Sequence, residues 1–212
     1  MRTLRTNTYV AALVISLLLF GTGMLAGLFI ANQLTDSLAK EITEVRTRTT
    51  EIELLFLLDA DSSSCAAYGP QLELFDNQTA EIDRRVDILS STRGATDPDV
   101  LTLKREFTIM QLRDYLFTQK INQKCNQSVD TLLYFYGNNC AECDQQGSVG
   151  PELKRDHPQL RIYAFDADLS SPAVTAIMQQ YGVKSYPTIV VNGLKLEGYK
   201  SKQELEAVLA KS

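Results

Sequence analysis

The chain has 212 residues, with 21 lysines and arginines against 26 aspartates and glutamates, which gives a formal net charge of −5. This acidic balance, without a basic cluster, argues against nucleic acid as a partner, because that binding needs Lys and Arg to neutralise phosphates. A single histidine excludes a site built on several imidazoles. Four cysteines are too few for a disulfide scaffold of this length, but they suffice for one redox pair and one structural bridge.

Residues 9–30 form an uncharged apolar run that predicts a transmembrane helix. A helix of that length spans about 33 Å, enough to cross a hydrocarbon core of about 30 Å. A cleaved signal peptide is the main alternative, but its apolar stretch is usually shorter, and residues 31–33 match its small-x-small cleavage site poorly. A buried core helix is disfavoured because no polar face interrupts the run. We therefore predict an uncleaved signal-anchor in the lipid bilayer.

The charges beside this span predict its orientation. Arg2 and Arg5 precede the span together with the N-terminal amine, whereas the residues after it carry no positive excess. The positive-inside rule keeps residues 1–8 in the cytoplasm and places the rest of the chain outside. This single-pass topology puts all four cysteines in a compartment where disulfides persist.

Residues 31–127 are predicted to form a helical stalk followed by two helices. In the stalk, apolar residues recur at helical spacing, which allows either a self-associating coiled coil or, as we favour, packing against the next two helices. A polar break at residues 59–64 separates the stalk from a helix over residues 66–91, and Asp97-Pro98 begins another that runs to about residue 122. The predicted inward faces are Leu34, Leu38, Ile42, Val45, Ile52 and Phe56 in the stalk, then Leu72, Phe75, Thr79, Ile82, Val86 and Leu89, then Leu103, Phe107 and Met110, with Leu116 and Ile121 as further candidates.

Cys65 and Cys125 are predicted to form a structural disulfide. Two helices of similar length joined by a short loop should lie antiparallel, so the start of the first is beside the end of the second. Cys65 lies at that start and Cys125 just past that end. The bridge would close a loop of about 60 residues and stabilise the fold by roughly 4 kcal/mol in the chain-entropy account. Two unrelated free thiols are the alternative.

The last 85 residues change from helical periodicity to an alternation of strands and helices. Strands are predicted at residues 131–136, 160–166, 189–191 and 194–199, with an Asn192-Gly193 hairpin between the last two. A helix follows Cys140-Ala141-Glu142-Cys143, with an interruption expected between residues 147 and 151. A second helix begins near Pro172, and a capping box at residues 201–204 opens the last helix. The predicted order is β-α-β-α-β-β-α.

These residues resemble the thioredoxin superfamily. The resemblance covers residues 129–211, about 40% of the chain, and we place the domain at residues 128–212. It is carried by the strand LLYFY, the C-A-E-C motif, the strand IYAFDAD, the segment YGVKSYPTIVV and the NG hairpin with Gly198. The implied fold class is an α/β thioredoxin-like domain, here preceded by a transmembrane helix and an antiparallel helical region.

The C-x-x-C motif is suited to thiol–disulfide exchange. Cys140 stands where a helix begins, and unpaired N–H groups with the positive end of the helix dipole favour its thiolate, which is the nucleophile. Cys143, one turn further, would resolve the mixed disulfide. The resemblance implies that Tyr186-Pro187 is a cis peptide beside the thiols, where the exposed backbone can bind an extended substrate. No cofactor and no metal are required.

Three positions depart from the usual thioredoxin pattern. Asn139 replaces a tryptophan before the first cysteine, Ala141-Glu142 replaces Gly-Pro, and Tyr134 stands where a buried acid is often found. Glu142 and Asp144 add negative charge near Cys140, which opposes the thiolate. We interpret the aromatic ring of Tyr134 as a packing element, so proton transfer would use another group or water, and the direction of electron transfer stays open.

The sequence thus predicts a membrane-anchored extracytoplasmic thiol–disulfide oxidoreductase that acts on protein cysteines, together with a redox partner protein. The main alternative is a non-catalytic adaptor whose thioredoxin-like domain carries a spectator disulfide. A metal half-site at the C-x-x-C motif would need two further ligands. Exchange between Cys65–Cys125 and Cys140–Cys143 also stays open, because the sequence does not fix the distance between the pairs.

Overall fold

The computed structural model describes residues 6–58, 65–126 and 128–211. The predicted polar break at 59–64 lies outside the described residues, as do residues 1–5 and the side chains of Ile52, Phe56 and Leu72. Three helices come first: α1 (Thr6–Leu58), α2 (Cys65–Arg93) and α3 (Pro98–Cys125). They are followed by β1 (Thr131–Tyr136), α4 (Ala141–Asp156), β2 (Arg161–Asp166), α5 (Pro172–Tyr181), β3 (Thr188–Val191), β4 (Leu194–Glu197) and α6 (Lys202–Leu209). The predicted fold class and order of elements are confirmed.

Helix α1 is continuous from the apolar run into the helical bundle, because it contains no proline that would break it. Side chains in residues 9–30 are exposed almost throughout, so no other part of the described chain covers the apolar run. Further along the same helix, Leu38, Ile42 and Val45 are at most 2% exposed and pack against α2 and α3. The apolar face of α1 that follows the apolar run therefore packs against helices of its own chain.

Helix α2 lies antiparallel to α1, as its side-chain contacts show. The Arg85 guanidinium forms an ion pair with Glu41, and Arg93, further along α2, donates to the Thr35 hydroxyl oxygen at 3.0 Å. As residue numbers rise on α2, those of the contacts on α1 fall. The predicted inward face of α2 is buried here, through Phe75, Thr79, Ile82, Val86 and Leu89.

Helix α3 returns parallel to α1. Asp97 caps its start by accepting hydrogen bonds from the backbone N–H groups of Asp99 and Val100. Further along the surface where α3 packs on α1, Arg113 donates to the Thr50 hydroxyl oxygen at 3.0 Å. The first half of α3 supplies Val100, Leu103, Phe107 and Met110 to the core shared by the three helices. Ile121 is buried as well, whereas the inward position expected for Leu116 is wrong, because its side chain is 46% exposed.

The sheet has the strand order β2-β1-β3-β4. β1 pairs parallel with β2 and antiparallel with β3, and β4 is antiparallel to β3 across the predicted Asn192-Gly193 hairpin. Helices α3 and α5 cover one face of the sheet, where Leu133, Phe135 and Phe165 point. Helices α4 and α6 cover the other face. The Ser201–Glu204 capping box at the start of α6 is present, as predicted.

The interruption expected in α4 is wrong, because the helix is continuous through Pro151. Proline removes one backbone hydrogen bond and costs a few kcal/mol in a helix interior. Val149 and Leu153 lie on either side of it at 6% and 0% exposure and pack into the core beneath the sheet. Their burial holds the helix in register across the missing bond.

Helix α3 belongs to two hydrophobic cores. Its second half contributes Leu112 and Tyr115 to the core on the sheet, while its first half packs in the helical bundle. A buried ion pair adds to this junction: the Asp114 carboxylate accepts hydrogen bonds from Arg161 and from the Tyr163 hydroxyl, both at 2.6 Å. The sheet is thereby fixed to the bundle. The predicted domain boundary at residue 128 stays a prediction.

We expect Asp114→Asn to lower the free energy of unfolding by about 3 kcal/mol, because it leaves the buried Arg161 without its countercharge. Urea denaturation of the full-length protein in detergent, followed by circular dichroism, measures the loss. Asp99→Asn is the matched control on the same helix, since that exposed carboxylate should cost less than about 1 kcal/mol. Equal losses in the two variants would contradict the assigned role of the ion pair.

Candidate functional site

The two cysteines of the C-x-x-C motif lie where β1 ends and α4 begins. Cys140 is the N-cap residue of α4, and its Sγ accepts a hydrogen bond from the backbone N–H of Cys143 at 3.1 Å. The two are joined as a disulfide with their Cα atoms 5.1 Å apart. Cys143 is 4% exposed, whereas Cys140 is more accessible. An attacking thiol of another protein can therefore reach the sulfur of Cys140 more readily than that of Cys143.

The Tyr186-Pro187 peptide is cis and lies at the same end of the sheet. Thr188, the next residue, pairs with Phe135 near the end of β1. The Tyr186 ring covers Gly137 so closely that a Cβ there would lie 2.9 Å from its Cδ2 atom. Glycine is thus required beneath this ring, and the cis peptide borders the loop that leads from β1 to Cys140.

Asp168 holds this loop from the β2 side. Its carboxylate accepts a hydrogen bond from the backbone N–H of Asn138 at 2.6 Å. Asn139 follows with a left-handed φ of 57°, a conformation that asparagine tolerates better than most residues. The loop before Cys140 is therefore held by a side-chain contact as well as by its own turn.

Tyr134 lies directly beneath the motif. Its hydroxyl donates a hydrogen bond to the backbone carbonyl of Cys143 at 2.6 Å, and its ring stacks on Tyr136 with the centroids 5.4 Å apart. Burial, with a smaller contribution from Asp144, raises the pKa of Tyr134 to about 12. The phenol is consequently a neutral donor at neutral pH and cannot act as a base there.

Acidic residues of α2 lie near the same end of the sheet. Burial raises the pKa of Tyr136, and the carboxylates of Asp166, Asp83 and Asp87 raise it further. Burial, followed by the charge of Asp87, raises the pKa of Asp83 to about 6. Burial raises the pKa values of Asp87 and Asp166, and the charge of Lys104 on α3 opposes this rise. The helical bundle therefore contributes charge to the surroundings of the C-x-x-C end.

Cys65 and Cys125 are joined by the second disulfide, with their Cα atoms 5.6 Å apart. This bridge is at the opposite end of the sheet from Cys140. The Asn122 side chain accepts from and donates to the backbone of Val129, which fixes the chain reversal between Cys125 and β1. Six strand residues at about 3.3 Å each then separate the reversal from the C-x-x-C loop, about 20 Å in all. Direct exchange between the two disulfides is disfavoured by this separation.

All four cysteines are thus paired. Within residues 6–58, 65–126 and 128–211, no group of three or more His, Cys, Asp or Glu side chains is arranged to hold a metal ion.

A family model described as a thioredoxin-like domain matches residues 116–212. The C-terminal domain belongs to the thioredoxin superfamily. The match begins inside α3 and takes in the last ten residues of that helix, residues 116–125. No curated protein matches this chain.

Solved thioredoxin structures are similar over the same part of the chain. Thioredoxin-2 of the malaria parasite, a component of its protein secretion machinery, is 27% identical over 40% of this chain and 84% of that chain, with a TM-score of 0.32. Desulfothioredoxin of Desulfovibrio vulgaris Hildenborough is 24% identical over 40% and 83%, with a TM-score of 0.34. Mitochondrial thioredoxin 3 of Saccharomyces cerevisiae is 21% identical over 45% and 90%, with a TM-score of 0.35.

The sequence indicated where the cysteines and the cis proline would lie, but it did not reveal the hydrogen bond of Tyr134 or the nearby charge of Asp83. The Tyr134 hydrogen bond could not be inferred, because alternation assigns a side chain to a face of the sheet without showing which atom its hydroxyl reaches. The proximity of Asp83 depends on how α2 packs against the sheet. Its position between Ile82 and Val86, both buried, was the one local signal.

We expect Tyr134→Phe to lower the free energy of unfolding of the oxidised protein by about 1 kcal/mol, because the Cys143 carbonyl loses a donor. The same variant should leave the pH dependence of Cys140 alkylation between pH 6 and 9 unchanged, since the phenol does not ionise there. Urea denaturation and alkylation rates after reduction measure the two effects. Tyr199→Phe, at an exposed position of the same domain, is the control. A changed pH profile in Tyr134→Phe alone would contradict the assignment of a neutral donor.

We expect Asp83→Asn to stabilise the protein above pH 6. The native state holds a proton on Asp83 that the unfolded state releases near pH 4, so the stability of the wild type falls as the pH rises from about 4 to 6. The variant lacks this loss and should gain roughly 1–2 kcal/mol at pH 7.5, with no gain at pH 4. Urea denaturation at both pH values tests this. A gain for Asp83→Asn that is equal at both pH values would refute the mechanism.

Proposed function

We propose that this protein is a membrane-anchored, extracytoplasmic thiol–disulfide oxidoreductase that acts on protein cysteines. The observation that carries the proposal is the accessible Cys140 at the start of α4, bonded to the buried Cys143, with the cis Tyr186-Pro187 peptide at the same end of the sheet. Membership of the thioredoxin superfamily supports a redox role for these residues.

In the proposed reaction, a partner thiolate attacks the Sγ of Cys140, and the thiolate of Cys143 leaves and takes up a proton. A second partner thiolate then attacks the partner sulfur of the mixed disulfide and releases Cys140 as a thiolate. Two electrons pass from the partner dithiol to the Cys140–Cys143 disulfide. The reverse sequence reduces a partner disulfide, with Cys140 as the nucleophile and Cys143 as the resolving thiol.

Tyr186 and Pro187 are proposed to bind the substrate chain. The cis proline cannot donate a backbone hydrogen bond, and its carbonyl already accepts one from the Gly198 N–H at 2.8 Å. The backbone of Tyr186 is therefore the part proposed to pair with an extended segment. The Tyr186 ring over Gly137 would form one wall of this surface. The Cys65–Cys125 bridge is proposed to be structural, because it lies at the other end of the sheet.

The membrane anchor is proposed to be the first part of α1. One stretch of this helix is long and apolar enough to cross a membrane, and none of that stretch is buried. Arg2 and Arg5 before it support a cytoplasmic N-terminus, which places α2, α3 and the thioredoxin-like domain on the opposite side. A compartment where disulfides persist suits both bridges.

We expect Cys140→Ser to reduce turnover in insulin-disulfide reduction at least a hundredfold, because the serine hydroxyl cannot form the mixed disulfide. Cys143→Ser should accumulate mixed disulfides with the substrate, visible on non-reducing gels. The full-length protein in detergent is the sample for both assays. Ser148→Ala, at an exposed position of the same helix, should retain turnover. Undiminished turnover in Cys140→Ser would refute the proposal and favour the adaptor with a spectator disulfide.

A further inference from the structure

The fold turns the C-x-x-C end of the sheet back towards the start of the helical bundle. Helix α3 runs parallel to α1, as the Arg113–Thr50 contact shows, and both therefore lead away from the apolar run. At the far end of α3, Gln119 donates to the hydroxyl oxygen of Thr131, the first residue of β1, at 3.2 Å. The chain reverses there, and β1 runs back along α3. Cys140, beyond the end of β1, is thus directed towards the membrane side of the bundle.

The contacts of α3 with the sheet give the level of this end along α1. Arg161, at the start of β2, contacts Asp114, and Asp166, which pairs with Tyr136, lies five strand residues further on, about 16 Å or eleven helical residues back along α3. Asp166 is therefore near the level of Lys104, and in agreement with this, burial raises the pKa of Asp166 while the charge of Lys104 opposes the rise. The Arg113–Thr50 contact sets an offset of 113 − 50 = 63 residues between α3 and α1, so Lys104 is level with residue 41.

The electrostatics of α2 agree with this level. Arg85 forms its ion pair with Glu41, and after burial the charges of the neighbouring Asp83 and Asp87 help to raise the pKa of Tyr136 at the end of β1. Both helices therefore place the end of β1 at the level of Glu41. That residue lies 41 − 30 = 11 positions after the last residue of the apolar run, or about 16 Å along a helix.

No flexible segment separates the apolar run from the bundle. Residues 31–41 are helical without a break, and Leu34 already packs against the bundle core. The Arg93–Thr35 hydrogen bond and the Arg85–Glu41 ion pair hold this part of α1 against α2. The distance of the sheet from the bilayer is therefore set by helix geometry, and the domain cannot swing away on a linker.

The resulting gap is narrow. The headgroup region takes up about 5–8 Å of the 16 Å above the hydrocarbon core, which leaves roughly 10 Å. An extended chain or a single helix about 10–12 Å wide fits this space. A folded soluble domain of 100 residues, with a radius of gyration of about 13 Å, is too large to enter it.

We propose that Cys140–Cys143 exchanges with a cysteine pair that a segment of another membrane protein carries close to the bilayer surface. This inference rests on the proposed function. The partner dithiol reduces the Cys140–Cys143 disulfide and becomes a disulfide itself, or the same exchange runs in reverse. No further oxidant or reductant enters this step.

The test uses liposomes that contain the full-length protein and a synthetic transmembrane peptide with a Cys-Gly-Gly-Cys disulfide. In the near probe the disulfide follows 4 helical residues outside the span, and in the far probe it follows 30, about 6 Å and 45 Å from the hydrocarbon core. The reduced wild type should exchange with the near probe at least tenfold faster than with the far probe. Equal rates with the two probes would overturn the proposal.

A second variant raises the domain without changing its site. Eleven helix-forming residues inserted between Ala31 and Asn32 lift the bundle by about 16 Å and rotate it by only about 20°. Exchange with the near probe should fall at least tenfold, while the same eleven residues placed after Lys211 should leave it unchanged. An unchanged rate in the raised variant contradicts the proposal.

Insulin-disulfide reduction in detergent separates this proposal from the proposed function. The raised variant and the C-terminal control should both match the wild type within twofold, which also shows that they are folded. A wild-type protein that does not reduce insulin would refute the redox function. Retained insulin reduction with no preference for the near probe would refute only the membrane-proximal partner.

Discussion

The buried ion pair between Asp114 and Arg161 fixes how the sheet lies against α3. Its charges are 2–5% exposed, so neither can find water if the other is removed, and the Tyr163 hydroxyl completes the arrangement. Because α3 also supplies the bundle core, this junction determines the direction of β1 relative to α1. The direction of β1 in turn determines the position of Cys140, the proximity of Asp83 to Tyr136 and the level of the C-x-x-C end along α1.

The surroundings of the C-x-x-C motif combine a disulfide at a helix start and a cis proline with side chains that depart from the usual thioredoxin pattern. Tyr134 supplies a neutral hydrogen-bond donor under Cys143, where it cannot accept a proton at neutral pH. Asp83 and Asp87 bring negative charge from a helix outside the thioredoxin-like domain. The bundle is therefore part of the electrostatic environment of the site as well as its support.

Much of this arrangement could be predicted from sequence, because the signals are local. Helical spacing gave the inward residues of α1 and α2, and antiparallel packing of two helices of similar length brought Cys65 to Cys125. The rest depends on contacts between distant residues. Pro151 favoured a break in α4, but the burial of Leu153 keeps the helix continuous. The hydrogen bond from the Tyr134 hydroxyl to the Cys143 carbonyl depends on how α4 packs on the sheet.

The Cys65–Cys125 bridge has a consequence for proteolysis. The turn between α2 and α3 is exposed at residues 94–96, whereas the bridge joins the far ends of the same two helices. A protease that cuts this turn separates the chain into a fragment with the apolar run and a fragment with the C-x-x-C motif, but the Cys65–Cys125 bond still links them. Release of the severed part would then await reduction of that bond, so the bridge acts as a tether after the backbone is cut.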